Sequence, residues 1–149
     1  MLRIELVSWG DARAHAAPIR FTVFVEEQKV PAEIELDEHD ARCVHALAWS
    51  GAGQAVGTGR LLPDGHIGRM AVLKAWRGRG VGAALLERLV GAARERGDAE
   101  VVLSAQTHAV EFYRRHGFAE EGEVYQDAGI AHRDMRRVLR RGGPLTPPG

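Results

Sequence analysis

Residues 2–7 alternate between apolar and polar types, Leu-Arg-Ile-Glu-Leu-Val, which predicts an opening strand. Residues 11–25 fit a helix, with Asp11 at its N-cap or in its first turn. Pro18 falls inside that helix and is a point where it can divide, because proline lacks the N–H and its ring crowds the preceding turn. Residues 26–40, EEQKVPAEIELDEHD, show no periodicity and read as irregular; they hold seven Asp and Glu residues. Two readings of that segment stay open: a solvated flexible loop, or a wall that attracts a cation.

A meander follows. Residues 43–49 (CVHALAW) read as a strand, Gly51 and Gly53 turn it into a second over 54–62, and Pro63-Asp64-Gly65 turns that into a third over 67–73. Residues 74–82 form a loop. From Val81 to Arg96 the spacing is helical, with Leu85, Leu86, Leu89 and Ala93 on one face and Gly97 as the C-cap. Val101 to Ser104 is a short, continuously apolar strand of the kind found inside a sheet. His108 to His116 is a further helix stopped by Gly117, and residues 118–124 and 132–139 make a last pair of strands. The expectation is one α/β domain over residues 1–141: a mixed central sheet of about seven strands flanked by helices. The tail 142–149, GGPLTPPG, is expected to be disordered.

Composition narrows the function. The chain has 149 residues, 45% hydrophobic and 27% charged, enough for one sizeable core. Lys+Arg and Asp+Glu stand at 20 each, so the net positive charge of a non-specific nucleic-acid binder is missing, and the aromatics are scattered. Nearly all the basic residues are Arg, whose rigid fork suits phosphate and carboxylate. Cys43 is the one cysteine, so no intrachain disulfide forms; it sits in an apolar strand and reads as core. The N-terminus reads as a strand and not a signal peptide, and no apolar run reaches membrane-spanning length. A cytoplasmic protein with no membrane or nucleic-acid partner is expected. His39, His45 and His66 have no companions at ligand spacing, so no metal is expected.

The local chemistry concentrates in Arg77-Gly78-Arg79-Gly80-Val81-Gly82-Ala83, between a strand and a helix. Glycines at alternate positions leave backbone N–H groups uncovered beside a helix N-terminus, and Arg77 and Arg79 add cationic donors. The spacing offers a pyrophosphate cradle. A Walker A loop would need Gly-Lys-Ser/Thr at its end, whereas Gly82 is followed by Ala83-Ala84. A Rossmann fingerprint would need Gly-x-Gly-x-x-Gly after the first strand, and this is Gly-x-Gly-x-Gly after the fourth.

The stretch Met70 to Leu86, MAVLKAWRGRGVGAALL, resembles the acetyl-coenzyme A motif of the GCN5-related N-acetyltransferase (GNAT) superfamily: apolar strand, short loop, Gln/Arg-x-x-Gly-x-Gly/Ala, helix. Residues 106–118, QTHAVEFYRRHGF, resemble its second signature, with Gln106 where Asn is usual. VFVEEQ at 23–28, ELDEHD at 35–40 and GIAHRDM at 129–135 are similar to an ElaA/YjcF-like branch, so the likeness spans nearly the whole chain.

The resemblance implies a GNAT-like fold with a V-shaped splay between the fourth and fifth strands, 67–73 and 101–105. It implies acetyl-coenzyme A as co-substrate, without a metal. Backbone groups of Met70, Ala71 and Val72 would meet the pantetheine arm, with an N–H near Val72 as oxyanion donor. Arg77, Gly78, Arg79, Gly80, Val81, Gly82 and Ala83 would meet the pyrophosphate, and Gln106 the pantetheine or nearby backbone. Tyr113 would be the general acid at the departing sulfur; a phenol of ordinary pKa, ~10, stays protonated at neutral pH. For the base, Glu27 and Glu35 lead, with Asp37 and Asp40 from the same acidic segment and His108 and His132 as alternatives. The acceptor would be a primary amine of a small molecule or peptide, attacked directly, in a monomer or homodimer. The alternative is a coenzyme A-binding regulatory protein with little or no turnover.

Overall fold

In a computed structural model the described residues are 1–139, so the expected tail 142–149 and the end of the domain at 141 lie outside them. The chain divides into two compact units, Met1–Leu89 and Val90–Gly149, with the division falling inside one continuous helix.

The first unit carries an antiparallel meander in the order β1 (Arg3–Val7), β2 (Val44–Trp49), β3 (Ala55–Leu61), β4 (His66–Val72). Its strands are the expected ones to within a residue or two. Between β3 and β4 the register shifts, with Thr58 opposite Ala71 but Arg60 opposite Gly68. Arg69 and Met70 therefore face the single residue Gly59, a bulge in which Arg69 takes φ 49°. Gly59 is required there: a Cβ on it would run into the Met70 thioether and lie 3.0 Å from Leu89. A Cβ on Gly57 would lie 2.9 Å from Val81 and 3.0 Å from Leu85. The two glycines of β3 thus let helix α3 (Val81–Glu95) lie close on the sheet.

Helix α1 (Trp9–Arg20) runs through Pro18 without dividing. Pro18 is exposed, and the chain continues directly as a π-helical segment, Phe21–Glu27. Residues 26–40 are more ordered than their pattern predicts. They contain α2 (Ala32–Glu35) and lead into a 3₁₀ turn, Glu38–Arg42. The Asp37 carboxylate accepts from His39 N–H and the Asp40 carboxylate from Asp37 N–H, a reciprocal capping pair that starts the turn.

The second unit holds the end of α3, then β5 (Glu100–Gln106), a 3₁₀ turn Thr107–Ala109, α4 (Val110–Arg115), β6 (Ala119–Asp127) and β7 (Ile130–Val138). β7 lies between β5 and β6 and is antiparallel to each. α3 buries Val81, Leu85, Leu86, Leu89, Val90 and Ala93, the expected face. It closes on Gly97 at φ 91°, with Asp98 N–H donating to Ala93 O at 3.0 Å. α4 closes the same way on Gly117, and Phe118 N–H donates to Tyr113 O at 3.1 Å. β6 runs three residues past its expected end and β7 starts two residues before its expected start. Ala128 and Gly129 make the tight turn between them at φ 52° and 77°, and only the glycine signals it in the sequence.

Candidate active site

The loop from β4 to α3 has the form an anion needs. A 3₁₀ turn, Lys74–Trp76, leads into Gly78 and Gly80 at φ 77° and 83°. A Cβ on either glycine would meet nothing within 4 Å, so left-handed backbone, and not crowding, is what selects glycine there. The first backbone bond of the helix runs from Ala84 N–H to Gly80 O at 3.0 Å. The N–H groups of Val81, Gly82 and Ala83 then have no acceptor within the helix, and they carry the positive end of its dipole. Val81 is buried and pins the helix start, while Arg77 through Gly80 are exposed. This set of N–H groups beside two guanidinium groups fits a diphosphate. The arginines are held differently. Arg79 lies over the Trp76 ring at 4.8 Å. Arg77 is turned back, its Nε donating to Val72 O at 2.9 Å and its Nη2 to Glu27 at 2.6 Å.

The acidic segment is not a free anionic wall. Arg20, 1% exposed, donates from Nε to Glu35 at 2.6 Å and from Nη1 to Asp40 at 2.8 Å. Arg60 donates to Asp37 at 2.7 Å and to Asp40 at 2.9 Å, and Arg69, delivered by the β4 bulge, donates to Asp37 at 3.2 Å. Burial works against the Asp37 charge, but the Arg60 hydrogen bond and the charges of Arg60 and Arg69 outweigh it and lower the carboxyl to about 2. Asp40 is lowered against the same burial by Arg20 and Arg60. The expectation of Glu35 as base therefore needs correcting. Its carboxylate is buried and committed to an arginine. Asp37 and Asp40 are occupied likewise, and Glu27 is paired with Arg77. The cluster ties α1 and the 32–42 segment to β3 and β4.

In the second unit Gln106 ends β5, and its side-chain oxygen accepts from His108 Nε2 at 2.7 Å. Tyr113 is half-buried on α4, its ring edge-on to Phe112 at 5.1 Å and to Phe118 at 5.9 Å. Burial alone pushes its phenol up to about 12. Among the described residues nothing hydrogen-bonds the Tyr113 hydroxyl, which leaves it available to a ligand.

A second constellation in this unit went unread in the sequence, apart from His132. Tyr125 on β6 donates to Asp134 Oδ1 on β7 at 2.6 Å and is hydrogen-bonded to Ser104 on β5. Ser104 and Asp134 are register partners, as are Gln106 with His132 and Tyr125 with His132. His132 stacks on Tyr125, centroids 6.1 Å apart and planes at 24°, and its Nδ1 donates to Ile130 O at 2.7 Å. These groups are spread over three strands, so only the strand register brings them together. The period-two spacing of Ser104 with Gln106 and of His132 with Asp134 was the one available signal.

Among the described residues no group of three or more His, Cys, Asp or Glu side chains is placed to hold a metal ion, and no helix is long and apolar enough to cross a membrane.

Residues 12–139 match the family model of the acetyltransferase (GNAT) domain. The chain is 41% identical over 123 residues to the uncharacterized N-acetyltransferase YjcF of Bacillus subtilis, covering 80% of this chain and 87% of that one. Among solved structures, an acyl-CoA N-acyltransferase from Pseudomonas aeruginosa superposes with a TM-score of 0.82 at 35% identity, over 93% of this chain and 100% of the other. Escherichia coli ElaA superposes with a TM-score of 0.81 at 29% identity, over 92% and 99%. The α/β class with its seven strands and flanking helices is therefore that of these acyltransferases.

Proposed function

Because the chain belongs to the GNAT acetyltransferase superfamily, in its ElaA/YjcF-like branch, we propose that it transfers the acetyl group of acetyl-coenzyme A directly to a primary amine of a small molecule or peptide. The observation that carries this reading is the start of α3. Its free N–H groups, the left-handed Gly78 and Gly80, and the arginines on either side of Gly78 form a seat for a diphosphate within the first unit. Backbone groups of Met70, Ala71 and Val72, beside the bulge in the β3–β4 ladder, are the candidates for amide contacts with an extended ligand arm.

Acetyl-coenzyme A supplies an activated acyl group with a good leaving group. The chain must supply three things: a neutral amine, donors for the charge that develops on the carbonyl oxygen, and stabilisation of the departing sulfur. Within the second unit, Tyr113 is the candidate to serve the sulfur. A phenol at about 12 stays protonated throughout the working range. Tyr113 is thus a protonated donor for the departing sulfur.

The test is release of free thiol from acetyl-coenzyme A across primary amines, polyamines, aminoglycosides and peptides, with acetylated product identified by mass. Product on an amine supports the reading. Tight coenzyme A binding without product on any amine class would favour a binding or regulatory role instead.

A further inference from the structure

We propose that Ser104, Tyr125 and Asp134 seat the acceptor as a primary ammonium ion and that His132 Nε2 takes its proton; this rests on the acyl-transfer reading above for its chemical purpose, but not for its binding step. Donor and acceptor roles along the first three residues are fixed by the geometry. Tyr125 donates to Asp134 Oδ1 at 2.6 Å, so the Ser104 hydroxyl must donate to Tyr125. That leaves the lone pairs of Ser104 Oγ and the second oxygen of Asp134 as acceptors facing outward, and both residues are exposed.

Asp134 stands apart from its neighbours. Glu100 and Glu121 are paired with Arg136, and Glu120 with Arg114 and Arg133. Among the described residues Asp134 has no cationic partner, and its one hydrogen bond is the neutral one from Tyr125. Arg136, two residues along the same face of β7, is already committed to Glu100 and Glu121. An ammonium ion meets the unfilled requirements of the site. Its N–H groups satisfy Asp134 and Ser104, and the stacked rings of Tyr125 and His132 offer an aromatic flank to its charge.

The histidine supplies the base. Nδ1 donates to Ile130 O at 2.7 Å, which fixes the proton on Nδ1 and leaves the lone pair on Nε2. Among the described residues nothing occupies Nε2. The step balances as follows. Nε2 takes one proton from R–NH₃⁺, giving R–NH₂ and an imidazolium. The nitrogen lone pair forms a C–N bond with the thioester carbonyl carbon, and the C–S bond breaks with its electron pair on sulfur. The nitrogen loses a second proton to water, the sulfur takes one from water while Tyr113 hydrogen-bonds to it, and the imidazolium returns its proton to water. One proton is released per turnover.

The experiment is a ¹⁵N NMR titration of the protein with n-butylammonium, following the His132 ring nitrogens and the amides of Ser104 and Asp134. The expected result is an Nδ1–H tautomer and saturable shifts of His132 Nε2 and of both amides. Asp134→Asn and, separately, Tyr125→Phe should weaken the response by about tenfold or more with an unchanged fold by circular dichroism. An Nε2–H tautomer, no response to n-butylammonium, an equal response to n-butyltrimethylammonium (which has no N–H), or an equal response in Asp134→Asn would each overturn the proposal. Calorimetry with coenzyme A on the same samples separates the two readings. Coenzyme A binding without an amine response sinks this site alone, and an amine response without coenzyme A binding sinks the acyl-transfer reading alone.

Discussion

Arg77 Nη2 donates to a Glu27 carboxylate oxygen at 2.6 Å, joining the end of the π-helical segment to the glycine-rich loop. The same guanidinium holds Val72 O through Nε. Glu27 therefore competes with a phosphate for Arg77. Glu27→Gln removes that competing charge. Both side chains are partly exposed, so the pair is worth little in stability, about 0 to 1 kcal/mol. The expected outcome is coenzyme A affinity raised by roughly two- to fivefold at low salt, with acetyl transfer retained. Loss of turnover with unchanged affinity would instead make Glu27 the base.

Gly82 lies in the first turn of α3, and its φ is not left-handed, so a side chain there leaves the backbone unstrained. Gly82→Val should keep a native circular dichroism spectrum and lower coenzyme A affinity by roughly tenfold or more, because the side chain covers the N–H groups a phosphate needs. Unchanged affinity by calorimetry would show that the phosphates bind elsewhere.

The arginine–carboxylate cluster is a stability element. Replacing Arg20 by Met leaves buried Glu35 with only Arg69, at 3.7 Å, and buried Asp40 with only Arg60, and should cost about 3 to 5 kcal/mol, read as a lowered urea midpoint. The cluster also sets an acid limit. Asp37 is held at about 2 in the fold, below its unfolded value, so its contribution is complete above roughly pH 4 and is lost as pH falls toward about 2. That contribution is about 2 kcal/mol, and Asp40 adds to it in the same direction. Urea denaturation from pH 6 to pH 2 should show stability falling over that window, and a smaller fall in Asp37→Asn.

Tyr113→Phe keeps the ring packing on Phe112 and Phe118 and removes only the unpaired hydroxyl. Single-turnover acetyl transfer should slow by roughly 10- to 100-fold while coenzyme A affinity stays the same, the pattern of an interaction made in the transition state. A wild-type single-turnover rate would return Tyr113 to a packing role.

Much of this was legible in the sequence because the signals were local. Gly-Arg-Gly-Val-Gly between a strand and a helix marked the left-handed glycine loop that leads into α3, and Leu85, Leu86 and Leu89 marked the buried face of α3. The acidic segment misled for a physical reason. Its carboxylates are matched by Arg20, Arg60 and Arg69, which are distant in the chain, and Arg69 reaches them only through a bulge that no residue pattern announces. The Ser104, Tyr125, Asp134 and His132 constellation was hidden likewise, since it exists only once β5, β7 and β6 are in register. Ala128 in left-handed conformation gave no turn signal, which is why β6 and β7 were read short at their hairpin ends.

The measurement that tests the central claim most directly is calorimetric titration of the protein with acetyl-coenzyme A and, at equal ionic strength, with ATP. The two share an adenine nucleotide and phosphates, and acetyl-coenzyme A adds the pantetheine arm and thioester that β4 is proposed to receive. Saturable one-site binding of acetyl-coenzyme A, at least tenfold tighter than ATP, is predicted. Equal or tighter binding of ATP would contradict the account.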